Sequence, residues 1–292
     1  MIRPQIRSAL WIGCLFVLLV ACGDNGGTRT PFVDDGDDGG TTGNTAPVDT
    51  SGGGGNGGDP GVAEQSCEKN ATIRTGEYGL LNNKHGEHRL VEGDVYEQCI
   101  RREAGGFPVS WRWKLDTDEP YVKGFPQIYY GRHLWTEATA ADLFPARIDR
   151  IDSLVVRHDV LLKVEGTFNL AFDLWVTADD TPAPEERTHE IMIWLDGNIP
   201  VDGDRIEEVV IGGDPYDFYR WEHRSGHMFL MFVARDPRPS GTTDLGGFLR
   251  YLRGNGDLSA DGYLAVIELG TEMWDGNGSI TVNDFEVSMT TG

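Results

Sequence analysis

The chain has 292 residues, with 25 Lys and Arg against 47 Asp and Glu, a formal net charge of −22 and four Cys. So acidic a balance argues against nucleic acid and anionic polysaccharide as partners and leaves room for a neutral ligand. Four Cys are too few for a disulfide-built scaffold, and the length suits one or two domains.

In chain order, residues 1–22 read as a leader. Arg3 and Arg7 precede an apolar run from Ser8 to Ala21, too short and wrongly flanked for a spanning helix. The run ends Leu19-Val20-Ala21-Cys22 and resembles a bacterial lipoprotein signal, with cleavage before Cys22 and lipid on its thiol. The alternative is an ordinary secretory signal with an incidental Cys. Such an anchor would tether the protein without spanning the membrane. In a Gram-negative host, Gly23 after Cys22 points to the outer membrane and an extracytoplasmic, periplasmic or cell-surface location. Residues 23–62 contain 14 Gly with Asp, Thr, Asn and Pro, a composition for a disordered spacer. Two Arg in the leader, and seven Asp and one Arg in the linker, leave −18 for residues 63–292.

Residues 63–292 suffice for one large core. Strands are expected at 71–82, 94–101, 108–115, 122–130, 153–162, 165–176, 188–196, 207–212, 215–221, 227–235, 262–273 and 279–290, divided by Gly, Pro and Asp clusters. That succession predicts an all-β sandwich or barrel. One helix is expected over 243–252, where Leu245, Phe248, Leu249 and Leu252 form a stripe. Cys67 and Cys99 are an even pair in an oxidising compartment and should form a disulfide. A two-Cys metal site is the alternative, but no His pair nearby has ligand spacing, so no metal is expected at this pair. Trp111 and Trp113 are two apart and share a strand face, and Tyr130, Trp135, Trp175, Trp194, Trp221 and Trp274 recur at strand spacing. Such rings serve as sugar-stacking platforms, although a single aromatic at such a position more often belongs to the core.

Three segments carry acids in phase. In 189–195, Glu190, Met192 and Trp194 share one face, and Ile191, Ile193 and Leu195 the other. In 169–176, Asp173 shares a face with Asn169, Ala171 and Trp175, opposite Leu170, Phe172, Leu174 and Val176. Antiparallel pairing through the Pro-rich 177–187 would bring Asp173 beside Glu190. In 264–274, Glu268, Gly270, Glu272 and Trp274 share a face. A carboxylate on such a face is costly without partners or water. Two carboxyls across a sugar are the equipment of glycoside hydrolysis.

The wording of these segments carries a resemblance. Phe172-Asp173-Leu174-Trp175, Glu190-Ile191-Met192-Ile193-Trp194-Leu195 and Gly270-Thr271-Glu272-Met273-Trp274-Asp275-Gly276, in this order, resemble glycoside hydrolase family 12. Asn82-Asn83-Lys84-His85-Gly86, Cys67 and Cys99 around it, Val122-Lys123-Gly124-Phe125-Pro126, helix 243–252 and Ile280-Thr281-Val282-Asn283-Asp284-Phe285 extend the match over about 67–290. The resemblance implies a concanavalin-like β-jelly-roll sandwich of two antiparallel sheets with one short α-helix. It implies a retaining endo-β-1,4-glucan hydrolase acting on cellulose, β-glucan or xyloglucan, with carboxyls about 5–5.5 Å apart. It assigns Glu190 as nucleophile, Glu272 as acid/base and Asp173 as the acid that tunes the nucleophile. Together with the aromatic spacing it makes Asn83, His85, Trp111, Trp113, Tyr130, Trp175, Met192, Trp194, Glu268 and Trp274 the candidate substrate contacts of a monomer taking a neutral β-glucan. His85 stands where the family has a Trp on the glycone side, and Glu268 where many members have Gln. Rival readings on the same architecture are a non-catalytic surface glycan-binding protein and a xylanase.

Overall fold

The structure, a computed structural model, describes residues 61–139, 142–201 and 203–292. The leader, Cys22 and all but the last two linker residues lie outside the described residues. Strands in chain order are β1 (Glu64–Ser66), β2 (Thr72–Thr75), β3 (Tyr78–Leu81), β4 (Val95–Arg102), β5 (Val109–Asp116), β6 (Gln127–Gly131), β7 (Ala146–Arg147) and β8 (Ile151–Glu165). They continue as β9 (Asn169–Thr177), β10 (Arg187–Gly197), β11 (Glu207–Ile211), β12 (Asp214–Glu222), β13 (Met228–Ala234), β14 (Ser240–Thr243), β15 (Tyr263–Gly270) and β16 (Gly276–Thr291).

Two sheets form. One runs β1-β4-β5-β16-β8-β14, and the other β11-β12-β13-β10-β9-β15-β6-β3-β2, with β7 also on β15. Among the described residues pairing is antiparallel except between β10 and β13, which are parallel because the chain returns through the β11–β12 hairpin before β13. The alternation read from the sequence packs one face of each sheet into a shared core. Leu170, Phe172, Leu174, Ile191, Ile193, Ile267 and Leu269 of the second sheet meet Trp111, Trp113, Ile280 and Val282 of the first. This is the two-sheet, mostly β architecture with one helix that the sequence predicts.

Several expectations change. Segment 71–82 is a hairpin, not one strand: Thr75 pairs with Tyr78 across Gly76-Glu77, and Gly76 takes φ 60, which a two-residue hairpin turn requires. Residues 122–126 are not strand. Their backbone bonds run to loops, Lys123 N to Met273 O at 3.0 Å and Phe125 N to Asn83 O at 3.0 Å. Trp111, Trp113 and Tyr130 are core residues and not members of the outer face. The two indoles point between the sheets while Arg112 and Lys114 point out, and Trp111 Nε1 donates to Thr271 Oγ1 at 3.2 Å. Tyr130 packs on Tyr78 and Phe144. The helix α1 spans Leu245–Asn255, starting later than expected because Thr243 still belongs to β14 and Asp244 caps it, accepting Gly247 N–H at 2.9 Å. It runs through Gly254 and stops at Gly256, whose φ of 80 closes the last turn.

Cys67 and Cys99 form the expected disulfide. Beside it Asn82 Nδ2 donates to Glu68 O at 2.8 Å, and Gln98 Nε2 donates to Asn82 Oδ1 at 2.9 Å, pinning the loop after β3 to β4.

Candidate active site

Cross-strand register sets the outer face of the second sheet in three rows. The first is Trp221–Phe229–Glu190–Trp175–Val266. The second is Tyr219–Met231–Met192–Asp173–Glu268–Tyr129. The third is Val233–Trp194–Ala171–Gly270–Gln127. Asp173 is therefore directly opposite Met192 and diagonal to Glu190, still within reach of a long side chain. Glu268 is directly opposite Asp173 on its other side. Glu190, Asp173, Glu268 and Glu272 are only 5, 5, 2 and 4% exposed, so each needs polar partners.

Those partners are specific. Glu190 Oε2 lies 2.9 Å from His227 Nε2. Glu268 Oε2 accepts Gln127 Nε2 at 2.7 Å, and its Oε1 lies 3.2 Å from His133 Nε2. His133 Nδ1 accepts the Trp135 backbone N–H at 3.1 Å, which leaves the proton of the neutral ring on Nε2. Burial drives the His133 imidazole down to about 3. Burial first, then the Asp173 and Glu190 charges, push the Glu268 carboxyl well above the usual range, with the Gln127 bond pulling the other way.

Glu272 lies beyond the end of β15, docked on the first residue of β9. Asn169 N donates to Glu272 O at 3.0 Å, and Glu272 N donates to Asn169 Oδ1 at 2.9 Å. Asn169 Nδ2 also donates to Glu272 Oε2. One Asn thus holds both the backbone and the carboxyl of Glu272 on the face that carries Asp173.

Apolar surface flanks the acids. Phe125, Ala171, Met192, Trp194, Phe229 and Met231 form one cluster, with Trp221 and Trp274 packed on it. Trp175 joins Tyr129, Leu134 and Val266 in another. Trp135, 50% exposed, packs edge-on against Trp175 at 4.9 Å. Asn83 shapes the neighbouring loop, its Oδ1 accepting the N–H of the half-buried His85 at 3.0 Å. Among the described residues no three His, Cys, Asp or Glu converge as a metal-holding group.

The face thus unites Glu190, Asp173, Glu268, Met192, Trp175 and Trp194, with Glu272 docked at its end. Sequence reasoning missed His227, which opens the strand expected at 227–235 but lies in the turn before β13 in the structure. It also missed Gln127 and His133, and took Tyr130 for the outward ring where Tyr129 is. Strand parity over 127–131 was the available signal, but two adjacent tyrosines leave it undecided.

Buried acids on one sheet face between aromatic clusters are the equipment of a glycoside hydrolase. The family model for Glycosyl hydrolase family 12 matches residues 76–290, and the chain belongs to that family. Endoglucanase S of Pectobacterium parmentieri is 28% identical over 221 residues, covering 73% of this chain and 81% of its own. Xyloglucan-specific endo-beta-1,4-glucanase A of Emericella nidulans is 28% identical over 233 residues, covering 77% and 90%. The native family 12 xyloglucanase from Bacillus licheniformis superposes with a TM-score of 0.69 at 26% identity, over 77% of this chain and 100% of that one.

Proposed function

We propose that this protein is an endo-β-1,4-glucanase that cleaves internal bonds of neutral glucans by double displacement. The observation that carries the reading is the set of buried acids on one outer sheet face inside the family-matched segment. Glu190 attacks the anomeric carbon and forms the glycosyl-enzyme. As the glycosidic bond breaks, its electron pair leaves with the departing oxygen, which takes a proton from Glu272. Glu272 then removes a proton from water, whose oxygen displaces Glu190. Asp173, diagonal to Glu190, tunes the nucleophile. Trp175, Trp194 and Trp274 supply ring surface to the sugars, Met192 lines the floor, and Asn83 and His85 form the glycone-side wall.

Glu190→Gln and Glu272→Gln should each lower turnover of a soluble β-glucan by at least about 10²–10⁴-fold while leaving the circular dichroism unchanged. Near wild-type release of reducing ends would remove the assignment. A second reading, with Glu268 as the acid, is favoured by burial and by the Asp173 and Glu190 charges, which raise its carboxyl well above the usual range. A collapse of turnover in Glu268→Gln with an active Glu272→Gln would select it.

The leader and linker support lipidation at Cys22, attachment to the outer membrane and action outside the cytoplasm on a tether. Cys22→Ser should move the protein from the membrane to the soluble fraction on cell fractionation.

A further inference from the structure

His227 lies outside every motif that carries the family resemblance, yet its ring is 2.9 Å from the carboxylate of Glu190. It ends the five-residue turn between β12 and β13, which Gly226 allows with φ 88. Gly226 N donates to His223 O at 2.8 Å, and His223 N donates to His227 O at 2.8 Å. The ring is held on both sides, stacked on His223 at 4.5 Å and meeting the Trp175 ring at 5.5 Å. It is 3% exposed.

Its tautomer is determined from behind. Arg187 Nε, which can only donate, points at His227 Nδ1 from 3.3 Å, and the Ser225 hydroxyl is 2.9 Å from the same nitrogen. Nδ1 is therefore the acceptor, and the neutral ring carries its hydrogen on Nε2, facing Glu190 Oε2. Pro184 O in turn accepts Arg187 Nη1 at 2.7 Å, which orients the guanidinium.

We propose that His227 is a positioning residue for the nucleophile: by donating Nε2–H to Glu190 Oε2, it commits the other carboxylate oxygen to attack on the anomeric carbon. The proposal rests on Glu190 being the nucleophile. Two consequences follow from one hydrogen bond. The carboxylate cannot rotate, so the attacking lone pair is preorganised. The same bond also stabilises the carboxylate when it departs in the second displacement, where Glu190 regains its negative charge and the C–O bond to the sugar breaks.

The test removes the donor and keeps the shape. In the full-length protein, His227→Phe retains a ring against His223 and Trp175 but has no N–H, and His227→Gln restores a donor. The phenylalanine variant should lose about 10- to 100-fold in kcat on β-glucan with KM within about twofold, the scale of one hydrogen bond to an ionised group. It should also slow covalent trapping by a fluorosugar with a dinitrophenolate leaving group, where only attack by the nucleophile is read. The glutamine variant should recover most of both losses. Peptide mapping of the trapped enzyme separates the two levels of the argument. A label outside the peptide holding Glu190 defeats the nucleophile assignment and this proposal with it. A label on Glu190, formed by His227→Phe at the wild-type rate, overturns the role of His227 alone. If the phenylalanine variant does not fold, the glutamine variant decides: trapping within about threefold of wild type supports the donor role, and a folded glutamine variant slowed as much as 100-fold overturns it.

Discussion

Glu268 and His133 face each other in the site with pH dependences of opposite sign. Below its ordinary value of 4.5, Glu268 is protonated in folded and unfolded chains alike and adds no slope. Above it the unfolded carboxyl ionises while the buried one keeps its proton, so stability falls as pH rises until the raised folded value is passed. His133, pushed from 6.5 down to about 3, works the other way: across that window the unfolded ring binds a proton and the buried ring does not, so stability rises with pH. His158 and His189 are also pushed down by burial and add to this acid limb. Urea unfolding at a series of pH values should therefore show Glu268→Gln removing a fall in stability that sets in above pH 4.5, and His133→Gln removing part of the loss below pH 6.5. Parallel curves for wild type and Glu268→Gln above pH 4.5 would show that Glu268 holds no extra proton. At this scale the sequence is legible where a residue sits on a strand of known phase. Glu190, Asp173, Met192 and Trp194 all point outward as their spacing predicts. His133 is invisible to the same logic because loops have no period, and His227, at the start of the strand expected at 227–235, because its partner Glu190 lies on another strand.

Among the elements, phase is again the dividing line. On β5 the alternation of Trp111 and Trp113 with Arg112 and Lys114 says that the indoles share a face, but not that this face is the core. Only pairing with β16, and the position of β5 in the first sheet, puts them inside. The stripe of α1 is readable, but its start depends on Thr243 pairing with Val156 in β8, and its end lies at Gly256 rather than at the first glycine after the stripe, Gly254. The disulfide links Cys67, just beyond the edge strand β1, to Cys99 on β4, a separation of 32 residues that includes β2 and β3 of the other sheet. Replacing both Cys by Ser should lower the unfolding free energy by about 3–4 kcal/mol in the chain-entropy account, read from denaturant melts with and without reductant. A melt unchanged from wild type would mean that the loop is equally restrained by the Asn82 and Gln98 bonds.

At the scale of the molecule, charge is the property most directly inherited from composition. With −18 on residues 63–292, the surface repels anionic polymers over about a Debye length, roughly 10 Å at 0.1 M salt. Turnover of carboxymethylcellulose should therefore rise several-fold between low and moderate ionic strength, while turnover of a neutral β-glucan stays nearly constant. Equal salt responses would show that the field does not reach the site. The sequence by itself determined the β class, the charge, the cysteine pair and the outward phase of the acids, since each depends on local periodicity or on counting. Only the tertiary structure decided which of two aromatic faces is core, that Asp173 lies opposite Glu268 and diagonal to Glu190, and that His227 and Asn169 hold the two proposed catalytic carboxyls. Those relations are set by register between strands distant in sequence, where a slip of one residue reverses every face.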